Sequence, residues 1–256
     1  LKRLLIGDCR EKLLSTLEVI LKHWGYRVLV SSRVQQLSAF LEEISPDLLI
    51  MGSRLLSDQA ALREAVERKA ATGACPLIVL GEQDAPNILK APHENLNVPL
   101  DIFSLFELTQ KYLEKYPRKN LRLAIKLPGM LCKGEACHLT EVLSLSTQGL
   151  FIKTSVRMEQ GDSLRVVFPL LGAKKELELD GQVLYCIQPH PENNYLQGIG
   201  LGFNSLGKET SHTLQTFIEN RFLGELSATQ RGTQGLAKDQ IQRRSAEVTL
   251  RLIRTS

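Results

Sequence analysis

Hydrophobic positions follow two different rhythms along the chain. Through the first 115 or so residues, short and nearly continuous apolar runs alternate with segments of helical period. The runs Arg3–Gly7, Tyr26–Ser31, Asp47–Met51, Pro76–Gly81 and Leu96–Leu100 predict five strands. Among the segments between them, Leu13, Leu14, Leu17, Ile20, Leu21 and Trp24 recur at three- and four-residue spacing and predict an amphipathic helix. Strands that are apolar throughout, alternating with helices, predict an α/β doubly wound five-stranded parallel sheet covered on both faces. Its last helix is expected from Asp101, a good N-cap, to about Lys115, with Pro117 stopping it.

After Pro117 the period becomes two and stays so for some ninety residues. Leu164, Val166 and Phe168, then Leu177 and Leu179, then Val183, Tyr185 and Ile187 each mark one buried face of a sheet. Turn signals at Lys133-Gly134, Gln148-Gly149, Gln160-Gly161-Asp162, Leu171-Gly172, Asp180-Gly181 and Pro189 to Asn194 predict an all-β antiparallel barrel. A C-terminal helix from about Lys208 to Leu223 closes it. Ser227 to Gly235, rich in Ser, Thr, Gln and Gly, reads as a flexible linker. The expected domains are therefore 1–116, 117–225 and a flexible basic tail, 226–256. The tail's Ile241, Val248, Leu250, Leu252 and Ile253 fit a helix poorly; it reads either as a contact for a partner or anionic surface, or as a disordered end.

Composition narrows the class. With 256 residues, 43% hydrophobic and 23% charged, the chain has room for two ordinary globular domains. No apolar run approaches the roughly 20 residues of a membrane span, and the first residues carry too short an apolar run for a signal peptide, so a cytoplasmic location is expected. The scattered Cys9, Cys75, Cys132, Cys137 and Cys186 fit reduced buried thiols better than a disulfide framework. Cys132 and Cys137, with only His138 nearby, make a poor zinc pattern, and no metal or cofactor is expected. Residues 226–256 hold six basic residues and two acids, which accounts for the whole net charge of +4. A neutral body argues against a DNA-binding domain. His23, His93, His138, His190 and His212 fall in no acid–base or nucleophile motif, so catalysis is not expected.

The repeats that begin Lys2-Arg3-Leu4-Leu5-Ile6-Gly7-Asp8 and contain Pro46-Asp47-Leu48-Leu49-Ile50-Met51 resemble the response-regulator receiver family over residues 1–116. The resemblance implies five βα repeats and a phosphoacceptor aspartate at the end of the third strand, beside a magnesium ion held by an acidic pair. Here the third strand ends in Gly52, and the acidic pair is reduced to Asp8 followed by Cys9. Gly81 stands where a hydroxyl residue is expected, and Val98-Pro99 where a lysine precedes the proline. Phosphorylation by the usual route is excluded, and Asp8 alone reads as a hydrogen-bonded turn residue rather than a metal ligand. The fold analogy implies a homodimer through this domain or the docking of a protein partner.

Arg118-x-x-x-Arg122, then Ser144-x-Ser146-x-x-Gly149, then Gly200-Leu201-Gly202-Phe203 ahead of a closing helix, resemble the PilZ family of cyclic di-GMP receptors over residues 117–225. The resemblance implies a ligand site of Arg118, Arg122, Ser144, Ser146 and Gly149. The residue types suit the chemistry: a guanidinium is a planar, permanently charged fork that bonds phosphate or guanine O6 and N7 and stacks on a purine. Ser144 and Ser146, two apart on a strand, face the same way, and Gly149 is expected to adopt a positive φ and let the turn approach a base. The family usually carries Asp or Asn at the position of Ser144, and serine accepts fewer bonds from guanine. Lys119 is expected to face solvent.

These readings predict a non-enzymatic effector of bacterial second-messenger signalling, in which cyclic di-GMP engages the segment between the domains and alters their arrangement or a partner's binding. The alternative is a scaffold whose domains are both degenerate, binding protein partners and no nucleotide. Transcriptional control through the basic tail would require salt-dependent DNA binding, which the neutral body disfavours.

Overall fold

A computed structural model describes residues 1–71, 73, 75–82, 89–170 and 175–231. The chain divides into two compact units, one made of Leu1–Lys119 with Leu223–Ser256 and the other of Asn120–Phe222.

In the first unit the apolar runs become the parallel strands β1 (Arg3–Gly7), β2 (Arg27–Ser31), β3 (Leu48–Gly52), β4 (Leu77–Gly81) and β5 (Glu94–Asn97), in the order β2-β1-β3-β4-β5. Central β3 is buried along its whole length, as a strand covered on both faces must be. The helices are α1 (Glu11–His23), α2 (Val34–Glu43), α3 (Ser53–Asp58), α4 (Ala60–Ala71) and α5 (Ile102–Leu113). The expected apolar stripe of α1 is buried at Leu13, Leu14, Leu17, Ile20 and Leu21. Asp101 caps α5 by accepting from the backbone N–H groups of Phe103 and Ser104.

Two features depart from the regular repeat. β5 lies earlier than Leu96–Leu100 and ends at Asn97, before Pro99, which has no N–H to give a ladder. Two helices, α3 and α4, fill the crossover from β3 to β4, whereas the described residues between β4 and β5 hold no helix. Pro92 in that stretch opposes one.

The second unit is a closed six-stranded antiparallel barrel. Its strands are β6 (Leu123–Lys133), β7 (Ala136–Ser146), β8 (Gly149–Lys153), β9 (Ser163–Leu170), β10 (Lys175–Ile187) and β11 (Gly198–Phe203), in the order β10-β11-β8-β7-β6-β9. Most period-two positions point inward, with Val142, Leu145, Ile152, Val166, Phe168 and Leu201 fully or almost fully buried. Tyr185, expected on the buried face, is instead 40% exposed, because the register shifts between Val183 and Tyr185.

A helix, α6 (Lys208–Arg231), follows, burying Leu214, Ile218 and Phe222 at four-residue spacing. It does not stop at Leu223: Gly224 is carried within it, and the stretch expected to be a linker from Ser227 is helical through Arg231. One glycine weakens a helix by only about 1 kcal/mol, and the buried Leu223 and Leu226 hold both sides of it. The remainder of the expected linker and the basic segment after it lie outside the described residues.

The cysteine expectation also needs correction. Cys132 and Cys137 form a disulfide across the β6–β7 hairpin. They are register partners on either side of the tight turn at Gly134, whose φ is +61°. A five-residue separation becomes direct opposition once the hairpin forms. Cys9 (exposed), Cys75 (buried) and Cys186 (half-buried) are free, and burial pushes the Cys75 thiol up to about 11. Among the described residues no helix is long and apolar enough to cross a membrane.

Candidate functional site

In the receiver-like unit the strand ends that should hold phosphorylation chemistry are filled by an internal ion pair. Asp8, fully buried after β1, accepts from the backbone N–H of Arg10 at 2.8 Å, from its Nε at 2.8 Å and from its Nη2 at 2.7 Å. The bond to Asp8 holds the Arg10 guanidinium above its ordinary pKa, against the opposing effect of partial burial. At the end of β3, a Cβ on Gly52 would lie 2.3 Å from Asp8 Oδ2, so the Asp8–Arg10 arrangement and a side chain at position 52 exclude each other. Asp8 is thus a buried, bonded turn residue. Among the described residues no cluster of three or more metal-ligating side chains occurs.

An open cleft beside β5 and α5 is lined by Glu94, Asn97, Asp101, Ser104 and Lys111, among others. Two of its carboxylates are engaged: Glu94 by Lys111 and Tyr112, and Asp101 by the first turn of α5.

On the barrel, the register assembles most of the expected site on one outer face. Leu145 points inward opposite Leu150, so Ser144 and Ser146 on either side of it point outward. Ser144 pairs with Ala124 on β6 and Phe151 on β8, and Ser146 pairs with Gly149. The pairing of Leu123 with Leu145 puts Arg122, one residue before β6, at the level of Ser146. Asn120 Nδ2 donates to Gln148 Oε1 at 2.8 Å and ties the entry of β6 to the turn at residues 146–149.

The two serines differ in availability. Ser146, 6% exposed, uses its hydroxyl to close the turn: it donates to the Gly149 carbonyl at 3.0 Å and accepts from Gln148 N–H. The half-buried Ser144 hydroxyl forms no hydrogen bond with the described residues. Gly149 is required for a reason other than the expected one. It is not among the positive-φ residues; instead a Cβ there would lie 2.3 Å from the Leu201 carbonyl oxygen, because β11 runs too close to admit a side chain.

Arg118 is exposed, groups with the first unit, and donates its backbone N–H to Gln110 Oε1 at 3.1 Å. Arg122, also exposed, belongs to the barrel unit. Neither guanidinium takes part in an ion pair with the described residues. Lys119 is exposed.

The sequence reading missed Phe151 on this face and assigned Tyr185 to a buried one. Phe151, the register partner of Ser144, stands beside Tyr185 of β10 with ring centroids 6.3 Å apart and planes 16° from parallel. The signal for them was present as the alternate glycines of β11, Gly198, Gly200 and Gly202, which leave bare backbone for rings to cover.

The barrel thus carries a serine-glycine turn on its outer face, with Arg122 just before its first strand. The model of the PilZ domain family matches residues 115–220, and this part of the chain is a PilZ domain, preceded by a receiver-like parallel sheet. PilZ domains are a non-catalytic receptor family.

Among solved structures, the chain is similar to the inhibitor of motility from Bacillus subtilis, with 17% identity over 43% of this chain and 52% of that one, at a TM-score of 0.38. It is similar to the PilZ domain of YcgR from Escherichia coli, solved with c-di-GMP: 11% identity over 45% of this chain and 98% of that one, TM-score 0.38. A response regulator receiver protein from Burkholderia phymatum matches at 14% identity over 46% of this chain and 98% of that one, TM-score 0.38. The first of these matches spans about half of the other chain's length, and the family assignment rests on the family model. No curated protein matches the sequence.

Proposed function

We propose that the chain is a cytoplasmic, non-enzymatic cyclic di-GMP effector, with Arg118, Arg122, Ser144, Ser146 and Gly149 at its ligand site. The observation that carries this reading is the placement of Arg122, its guanidinium free of ion pairs among the described residues, at the level of the Ser146–Gly149 turn on one barrel face. A free guanidinium can meet a phosphate without first breaking an internal bond, whereas a paired one would leave a carboxylate stranded. The segment holding Arg118 and Arg122 joins the two units, so a ligand engaging both arginines orders the connection and biases the arrangement of the domains or their affinity for a protein partner. The receiver-like unit, without a phosphoacceptor, serves as a docking or dimerisation module.

Calorimetric titration of cyclic di-GMP into the purified chain tests the reading, with the Arg118→Ala, Arg122→Ala double variant as control. Micromolar or tighter binding, lost in the double variant, is expected. Ser144→Asp should tighten it by roughly tenfold, because a carboxylate accepts guanine donors that a hydroxyl cannot.

The second reading is a protein scaffold that binds no nucleotide. It is favoured by one specific pair of observations: serine replaces the usual carboxylate or amide at 144, and the Ser146 hydroxyl is consumed within its own turn. Absence of heat with the wild-type protein, together with a partner pull-down indifferent to the nucleotide, would establish it.

A further inference from the structure

The outer barrel face carries two aromatic rings that the core does not need. Ile199 and Leu201 of β11 already point inward and are buried, so the alternate positions of that strand, Gly198, Gly200 and Gly202, lie on the outside. The bare backbone is covered from both sides. Tyr185 lies over Gly200, where a Cβ would come within 2.2 Å of its ring, and Phe151 lies over Gly198, where a Cβ would come within 2.7 Å of the ring tip.

Such close approach means that the rings lie along the sheet rather than standing away from it. Their near-parallel planes extend that flat surface across β8, β11 and β10. Tyr185 remains 40% exposed and Phe151 is half-buried, so an aromatic surface is open to solvent.

The neighbours specify what such a surface can hold. Ser144 is the direct cross-strand partner of Phe151, and its hydroxyl is without an internal hydrogen bond among the described residues. Directly paired residues on one face have their Cβ atoms about 5 Å apart. A planar base lying on the rings therefore brings its polar edge to Ser144. Arg122, two residues before Ala124 and on the same face by strand alternation, supplies a positive charge near the same row. A flat apolar surface, one hydrogen-bonding edge group and one cation match a purine nucleotide better than an apolar peptide segment, which would leave Ser144 and Arg122 unused.

We infer that Phe151 and Tyr185 form a stacking platform for a guanine base of the dinucleotide, with Ser144 addressing the edge of that base. The inference rests on the cyclic di-GMP reading and adds a subsite to it. It gives Ser144 a working context: stacking supplies binding that is indifferent to the missing carboxylate, and the hydroxyl supplies direction.

Leucine substitutions test it, because leucine keeps an apolar cover over the glycines while removing the π-face. Cyclic di-GMP is titrated into the full chain as wild type, Phe151→Leu, Tyr185→Leu and the Arg118→Ala, Arg122→Ala control, with thermal melts to check folding. Each leucine variant should bind roughly ten- to a hundredfold more weakly with an unchanged melting temperature. Tyr185→Trp should retain binding and show ligand-dependent quenching of its fluorescence above the constant Trp24 signal.

Wild-type affinity in both leucine variants, with binding lost in the arginine control, overturns the platform and leaves the receptor reading standing. If Phe151→Leu fails to fold, Tyr185→Leu and Tyr185→Trp decide the matter alone. No binding by the wild type removes the receptor reading, and the platform with it.

Discussion

Arg10 changes what the loss of the phosphoacceptor means. A receiver site without its aspartate could be an open acidic socket, but here a guanidinium donates twice to Asp8, and the Arg10 backbone N–H takes a third position on the same carboxylate. The internal cation answers the charge that a divalent ion would otherwise neutralise. Since Asp8 is fully buried, Arg10→Ala would leave its carboxylate with a single donor and should lower stability by on the order of 3 kcal/mol, read by urea denaturation. Gly52→Asp, the change that would nominally restore the acceptor, should also destabilise and should confer no phosphorylation by acetyl phosphate. Its Cβ would lie 2.3 Å from Asp8 Oδ2, and its charge would face another carboxylate. Stable, phosphorylated Gly52→Asp protein would overturn this account.

The loss of the acceptor was legible at Gly52 itself, because glycine has no group to phosphorylate. The replacement was not, since a contact between residues two apart in a loop leaves no periodic trace. Gly149 makes the same point from the other side: the need for glycine could be read in the sequence, but its cause, the passing β11 backbone, depends on a residue some fifty positions away.

Elements were legible where one pattern decided them and illegible where two competed. β3 and α1 follow from an unbroken apolar run and a single stripe. β5, with the pattern Glu-Asn-Leu-Asn, has only one buried residue, Leu96, and its reading was drawn toward Val98 and Leu100, beyond what Pro99 permits. In α6, Gly224 suggested an end, but burial on either side outweighed one unfavourable residue.

How α5 is fastened to β2 was equally hidden, because it depends on a pair 88 residues apart. Tyr26, just before β2, donates its hydroxyl to Glu114 Oε1 at 3.0 Å and accepts from Gln110 Nε2 at 3.1 Å. Burial first, and the Glu114 bond second, push the Tyr26 phenol up to about 12. An unfolded tyrosine titrates near 10, so the folded state holds this proton more tightly. The associated stabilisation, roughly 2 kcal/mol, is fully present below about pH 10 and is lost as the pH rises toward 12. Denaturation midpoints measured from pH 8.5 to 11.5 should therefore fall more steeply for the wild type than for Tyr26→Phe. Parallel curves would show that the tie contributes nothing.

For the whole molecule, the question is what two units joined at residues 119–120 and again at 222–223 can do that neither does alone. The proposed site draws Arg118 from one unit and Arg122, Ser144 and the Ser146–Gly149 turn from the other. A ligand can shift a conformational equilibrium only by its difference in affinity for the two states. On the proposed reading Arg118 is the differential contact, and binding would select the arrangements of the connection in which it reaches the ligand. A charge-assisted contact worth about 2 kcal/mol bounds that difference, so saturating ligand could move an evenly balanced pair of arrangements to roughly thirty to one. X-ray scattering profiles of the chain should therefore change on saturation with cyclic di-GMP. Arg118→Ala should still bind, more weakly, through Arg122 and the barrel face, and its profile at saturation should match that of the free protein. An identical pair of profiles for the wild type would mean that the dinucleotide acts on the barrel surface alone, and that its output is a face presented to a partner rather than a rearrangement of the units.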